Sequence, residues 1–122
     1  MKKGILIDVK NKTITEVEVI ENEQGSQLES IYKHLECSIF QIVNIDHKND
    51  IYVDEEGLMN MNDETGFFQV DNKEPIAGNG LIMGYDDETG DSVDTTLSVE
   101  EVKSRIKFVS AFDVALKVRF GR

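Results

Sequence analysis

The densest stretch of reactive side chains is Asp86-Asp87-Glu88-Thr89-Gly90-Asp91-Ser92-Val93-Asp94, five carboxylates in nine residues. So many oxygen ligands suggest a hard cation such as calcium. An EF-hand loop wants acids at positions one, three and five, glycine at six and glutamate at twelve. Counted from Asp86, the sixth residue is Asp91 and the twelfth is Leu97, so the pattern fails. Zinc fares no better, because His34 and Cys37 lie three apart and His47 is the only other histidine. A tetrahedral site needs four ligands, and no metal is assigned. Cys37 is also the only candidate thiol nucleophile, and nothing in sequence places a base and an orienting acid beside it. The plainer readings are a half-buried structural cysteine and, for His34, a solvated histidine near a helix C-terminus, where its charge is favourable.

Phosphate chemistry would need a glycine-rich turn that opens a helix. Gly78-Asn79-Gly80 instead precedes the apolar Leu81-Ile82-Met83, so neither a Walker loop nor a dinucleotide fingerprint is present. These glycines bend the backbone, and they would also let a ligand come close, with Asn79 as its contact. Without tryptophan, and with only 7% aromatic residues, a sugar-stacking cleft is not expected. No cofactor is assigned and no catalytic residue is named. The sequence predicts a binding protein, not an enzyme.

Charge carries more information. The net charge is −11, which opposes nonspecific attraction to nucleic acid or to an anionic membrane. Between Asp50 and Val102 there are fifteen acids and one base, Lys73, a net of −14. The remaining nine acids and twelve bases give +3, so an acidic middle is set in a nearly neutral scaffold. Two readings stay open. The acids form a solvated face that keeps the chain soluble, or they form a negative surface made to meet a positive one, imitating the phosphate line of DNA. On the second reading Asp54, Glu55, Glu56, Asp86, Asp87, Glu88 and Asp91 carry the contact with a basic partner that handles nucleic acid, and no nucleic acid is bound directly.

The 122 residues suit a single domain, 1–122, with 39% hydrophobic residues for its core. No apolar run approaches the ~20 residues of a membrane span. The apolar start at Ile5 stops at Asp8, too early for an export signal, and a single cysteine fits a reducing cytoplasm.

The elements that must position these residues read as α+β. Ile5–Ile7 and Ile14–Ile20 form a hairpin, with Glu16 and Glu18 alternating with Val17 and Val19. Ser26-Gln27-Leu28-Glu29 reads as a capping box that opens a helix over Ser26–Glu36. Leu28, Ile31, Tyr32 and Leu35 make its apolar stripe. Ser38–Asp46 reads as a central strand, followed by short strands at Ile51–Val53, Phe67–Val70 and Leu81–Tyr85. Ser98-Val99-Glu100-Glu101 caps a second, short helix, and Val114–Phe120 alternates as a final strand with a basic outer face. Asp54-Glu55-Glu56-Gly57, Asp63-Glu64-Thr65-Gly66 and Asp87-Glu88-Thr89-Gly90 read as three tight turns, each closed by a glycine at positive φ. The expectation is a mainly antiparallel sheet of five to seven strands with one main helix packed on it. Its core comprises Leu6, Val17, Val19, Leu28, Ile31, Leu35, Phe40, Ile42, Leu81, Met83 and Phe108.

The segments Ile51-Tyr52-Val53-Asp54-Glu55-Glu56-Gly57-Leu58 and Gly78-Asn79-Gly80-Leu81-Ile82-Met83-Gly84, with the opening hairpin and the Leu28–Leu35 helix, resemble a family of small proteins. That family, catalogued as a domain of unknown function, occurs in phages, plasmids and other mobile elements of bacteria, and the likeness runs over about residues 4–110. The chain is also similar to some type II anti-CRISPR proteins, inhibitors of the RNA-guided CRISPR nuclease. The resemblance implies a counter-defence inhibitor in the cytoplasm of a bacterial host, and it brings no active site. The alternative is a small-molecule module, such as a sponge for a nucleotide signal. It would use Asn79, with Lys117, Arg119 and Arg122 supplying positive charge across a homodimer.

Overall fold

The computed structural model describes residues 1–119 apart from Asn60, Asp63 and Asn72, and of residues 116–119 only the course of the backbone. The opening hairpin is present as β1 (Lys2–Asp8) and β2 (Thr13–Val19). Asp8 makes its turn by accepting from the N–H groups of Lys10 and Asn11 at 3.0 and 3.1 Å. There follow α1 (Leu28–Leu35), β3 (Phe40–Asn44), β4 (Asn49–Asp54), β5 (Gly66–Val70), β6 (Ile76–Ala77), β7 (Gly80–Tyr85) and β8 (Ser92–Val93). The chain continues through α2 (Val99–Arg105), β9 (Ile106–Ser110) and α3 (Ala111–Arg119).

The α+β expectation holds, with two antiparallel sheets in place of one. The larger has the order β2-β1-β7-β4-β3, and β8 pairs with the end of β7 that lies beyond β1. The smaller has the order β6-β5-β9. β7 is central because Leu81-Ile82-Met83 is apolar without a break, as a strand covered on both faces must be. On one face of the large sheet, Ile5, Ile7, Ile14, Ile51, Val53 and Ile82 meet Phe68 of the small sheet and Val102 of α2. On the other, Val19, Tyr52, Leu81 and Met83 meet Ile31 and Leu35 of α1. Gly80 permits this layering. A Cβ there would fall 2.6 Å from Phe68 Cζ and 2.9 Å from Ile51 Cδ1. The close approach that a glycine allows is therefore taken by a core ring.

Several local expectations need correcting. Ser26 does not cap α1 through a box: the N-cap is Gln27, with no side-chain cap bond. Asn22 explains this, because its Oδ1 accepts from the N–H groups of Gln24 and Ser26, holding Ser26 in a loop so that the helix starts later. Leu28 thereby becomes the first helical residue and stays 49% exposed, outside the core. Ile42 is 52% exposed as well, because β3 is an edge strand and not a central one. β3 ends the strand order, and among the described residues it pairs with β4 alone. Phe40 still packs inward, its ring 5.4 Å from Tyr32 and 5.2 Å from Tyr52.

The last strand expected, Val114–Phe120, is instead the helix α3, with Phe120 outside the described residues. Ser110 and Asp113 make the reciprocal bonds of a cap: the Asp113 N–H donates to Ser110 Oγ at 3.1 Å and the Ser110 N–H to Asp113 Oδ2 at 3.3 Å. That pairing, with helix-favouring Ala and Leu, outweighs the two-residue alternation. Of the three glycine-closed turns, only Gly90 has positive φ, at 78°. The box at Ser98 is present as expected, with both of its bonds made.

Ile31 (3% exposed) and Leu28 test the assignment of the α1 face. Ile31→Ala should destabilise by ~2–5 kcal/mol in urea unfolding, as core truncations do. Leu28→Ala should change the monomer by ~0.5 kcal/mol or less. Equal losses at the two positions would mean that α1 is rotated from the face described.

Candidate functional site

The acids singled out from the sequence fall into two groups. Asp54 ends β4 and leads into the Glu55-Glu56 turn, whereas Asp86, Asp87, Glu88 and Asp91 make the turn that leaves β7. β4 and β7 run antiparallel with Val53 opposite Gly80 and Asn49 opposite Gly84, so the two groups lie at opposite ends of β7. With six residues in that strand, at ~3.3 Å each, the separation is roughly 20 Å. One local bond recurs in both turns. Asp54 Oδ1 accepts from the Glu56 N–H, and Asp86 Oδ1 from the Glu88 N–H, each at 2.9 Å. Asp54 and Asp86 therefore lock their turns. Glu55, Asp87, Glu88 and Asp91 are the exposed carboxylates, with Glu56 half-buried. Among the described residues, no group of three or more His, Cys, Asp or Glu side chains could hold a metal ion.

A cleft of about 600 Å³ opens at the Asp54 end, between the β1–β2 turn, the end of α1 and the β9–α3 junction. Lys10, Lys12, Glu36, Asp54, Glu64 and Asp113 put both signs of charge on its wall. Lys10, Lys12 and Glu36 were not singled out from the sequence. Lys10 and Lys12 share the β1–β2 turn and Glu36 follows α1, and no motif joins the two segments. Asn79 is part of the same wall, but its amide is engaged by the protein. Its Oδ1 accepts from the Val9 N–H and its Nδ2 donates to the His34 carbonyl, both at 3.1 Å. Asn79 thus straps the first hairpin to the last turn of α1, and it is only 7% exposed. Lys117 and Arg119 lie on α3, and their side chains, like Arg122, are outside the described residues.

The two soft side chains do not form a reactive pair. Burial first, and then the charge of Asp54, push the Cys37 thiol above its ordinary value, which favours the unreactive protonated form. His34 is half-buried, not solvated, and its Nε2 lies 3.0 Å from the Glu18 carbonyl. A carbonyl only accepts, so that ring nitrogen carries the hydrogen.

The most heavily bonded side chain in the sheet is Asn49, 1% exposed and not singled out from the sequence. Its Oδ1 accepts from Thr95 Oγ1 at 2.6 Å and from the Thr96 N–H at 3.2 Å. Its Nδ2 donates to Thr96 Oγ1 at 2.8 Å and to Asp46. This knot ties the β3–β4 turn to the segment before α2. Nearby, Asp71 and Arg105 form a two-pronged ion pair.

These features describe an acidic α+β chain whose free carboxylates stand on two braced turns at the ends of a buried strand. The family described as "Domain of unknown function (DUF3846)" matches residues 1–107, and the chain belongs to it. No curated protein and no solved structure matches the chain.

Two outcomes follow from this chemistry. Asn79→Ala would leave the Val9 N–H and the His34 carbonyl without their partner, and it should cost ~1–3 kcal/mol in thermal or urea unfolding. Unchanged stability would mean that the strap carries no load. The second concerns acid. For Asp46, burial opposes the charge, but the Lys48 and Asn49 N–H groups and the Asn49 amide outweigh it, holding the group below its ordinary value. Asp8 is lowered by its Asn11 and Lys10 bonds against burial, and Asp71 chiefly by Arg105. A carboxylate lowered by folding stabilises fully above its unfolded value and loses that contribution as pH falls through the folded one. Urea midpoints should therefore hold down to about pH 4 and fall below it, and the fall should be shallower in Asp46→Asn. An identical slope in that variant would remove Asp46 from the account.

Proposed function

We propose that this chain works by binding: it is a counter-defence inhibitor of a mobile element, and its acidic turns occupy a basic, nucleic-acid-binding groove of a host protein. The RNA-guided CRISPR nuclease is one such target. The observation that carries the reading is the Asp86–Asp91 turn. It is braced by the Asp86 bonds and by Gly90, and it presents Asp87, Glu88 and Asp91 to solvent. Charges fixed on a rigid tip lose little freedom on docking, and their field steers a positive partner toward them. Glu55, roughly 20 Å away, extends the acidic reach to a length of about six phosphate steps along one DNA strand. The Cys37 thiol, pushed above its ordinary value by burial and by Asp54, and the tethered His34 support binding over catalysis.

A second reading is favoured by the cleft beside Asp54. Its volume of about 600 Å³ lies within the ~300–1,000 Å³ typical of ligand pockets, and Lys10 and Lys12 would meet an anionic small molecule.

One experiment separates the two. The triple variant Asp87→Asn, Glu88→Gln, Asp91→Asn keeps Asp86, and so keeps the turn. A pulldown from a bacterial host should yield a basic protein whose affinity falls on the order of tenfold or more in the variant at low salt. The loss should shrink as salt screens the field, and added DNA should compete. A neutral partner held equally by parent and variant at every ionic strength, with excess DNA present, would sink the inhibitor reading. A small anionic ligand seen by native mass spectrometry of the purified protein would instead favour the cleft.

A further inference from the structure

The bonds that flank β3 set its phase. Ile45 donates its N–H to the Asn49 carbonyl at 3.0 Å, and Ile39 accepts from the Glu55 N–H at 3.1 Å. In an antiparallel ladder the bonded residues alternate, so 39, 41, 43 and 45 face β4. Phe40, Ile42 and Asn44 therefore turn their N–H and C=O groups to the open edge, where no described strand pairs with them. The edge is also bare of charge, since Ser38–Ile45 contains no acid or base in a chain of net −11. Exposed apolar side chains line it: Ile39 is 41% exposed, Ile42 52% and Val43 41%. Leu28, 49% exposed, shares with Ile42 a hollow of about 500 Å³ on the α1 face. Edges of this kind are normally blunted by charge, proline or a bulge. The opposite edge is blunted: β2 carries the exposed Glu16 and Glu18, so two such strands would set carboxylates against each other.

We propose that the β3 edge is the site where a second copy of this chain pairs, antiparallel, about a two-fold axis through Ile42. The register is self-consistent. Ile42 then lies opposite the second copy's Ile42, and Phe40 opposite its Asn44. These are the residues whose backbone groups point outward, and each such pair exchanges two hydrogen bonds. On the α1 face the two Ile42 side chains meet beside the Leu28 hollows. On the other face Val43 meets Gln41. Along the paired strands no charge opposes a like charge, which selects a second copy over a charged peptide as the occupant; in each hollow Lys2 pairs with Glu21 at 3.7 Å and Asp91 stands at the wall. A five-residue strand pair is small beside the ~1,200–2,000 Å² of stable interfaces, so the association depends on concentration. The inference does not rest on what the acidic turns bind, although Asp91 of one turn lines the same hollow.

Sedimentation across a concentration series tests the seam on the parent and two variants. Ile42→Lys puts a charge at the axis. Ile42→Pro deletes one outward N–H and leaves the β4 ladder intact. The parent should pass from monomer to dimer as concentration rises, and both variants should weaken the dimer by about tenfold or more. Amide exchange on the parent needs no variant, so it decides even if a substitution disturbs folding. The Phe40, Ile42 and Asn44 amides should gain protection with concentration while those of β2 do not. A parent that stays monomeric at NMR concentrations, with those three amides fast, overturns the proposal. So does a dimer that persists unchanged in both variants.

Discussion

β7 is buried on both faces, with Leu81 and Met83 at 0% exposure and Ile82 at 2%, and the remaining layers follow from that burial. A strand with apolar side chains on both sides needs cover above and below and a hydrogen-bonded neighbour at each edge. β1 and β4 take the edges, α1 covers one face, and the small sheet with α2 covers the other. Gly80 brings Phe68 of the small sheet against β7, closer than any side chain at 80 would allow. With its edges and faces occupied, β7 meets solvent only through the segments at its ends. One end carries the Asn79 strap and the cleft, and the other carries the acidic turn.

The net charge of the chain conceals two kinds of carboxylate. Asp8, Asp46, Asp54 and Asp86 each accept from a backbone N–H two residues on, at a turn. A short aspartate side chain reaches its own backbone two or three residues on, which a turn needs and which costs it little solvation. Glu55 and Glu88 have an extra methylene and project outward, joined by Asp87 and Asp91. Substituting the first kind tests folding, and substituting the second kind tests binding. Neutralising all the acids together would confuse the two.

The same division governs how much could be read in advance. Features set by neighbouring residues were legible: the β1–β2 alternation, the unbroken apolar run of β7 and the Ser98–Glu101 box all stand as expected. Features set by distant partners were not. β3 has the composition of a buried strand, and only the sheet order leaves it at an edge. Asn49 looks like a turn residue until Thr95 and Thr96 arrive from the far side of the sheet. α3 carries a local start signal of its own, since Ser110 and Asp113 sit three apart and bond reciprocally. The acids at Asp54 and Asp86 were identified by type, but their separation needed the β4–β7 register. The family match ends at residue 107, within β9, although Phe108 opposite Phe68 and Val109 opposite Phe67 complete the small sheet.

A charge of −11 bears on the two proposed contacts in opposite ways. At long range two copies repel, and a basic partner is drawn in. At contact the difference lies in what each surface offers. The acidic turns offer carboxylates that stay solvated until a cation replaces the water. The β3 edge offers uncharged backbone groups and the side chains of Ile42 and Val43, whose pairing gains from apolar burial. Added salt screens both long-range effects, over a distance of about 10 Å at 0.1 M. It therefore weakens docking at the turns and relieves repulsion between copies at the edge. An acidic chain can thus stay dispersed at low salt and still carry an apolar seam, because the charge that attracts its partner also keeps its own copies apart.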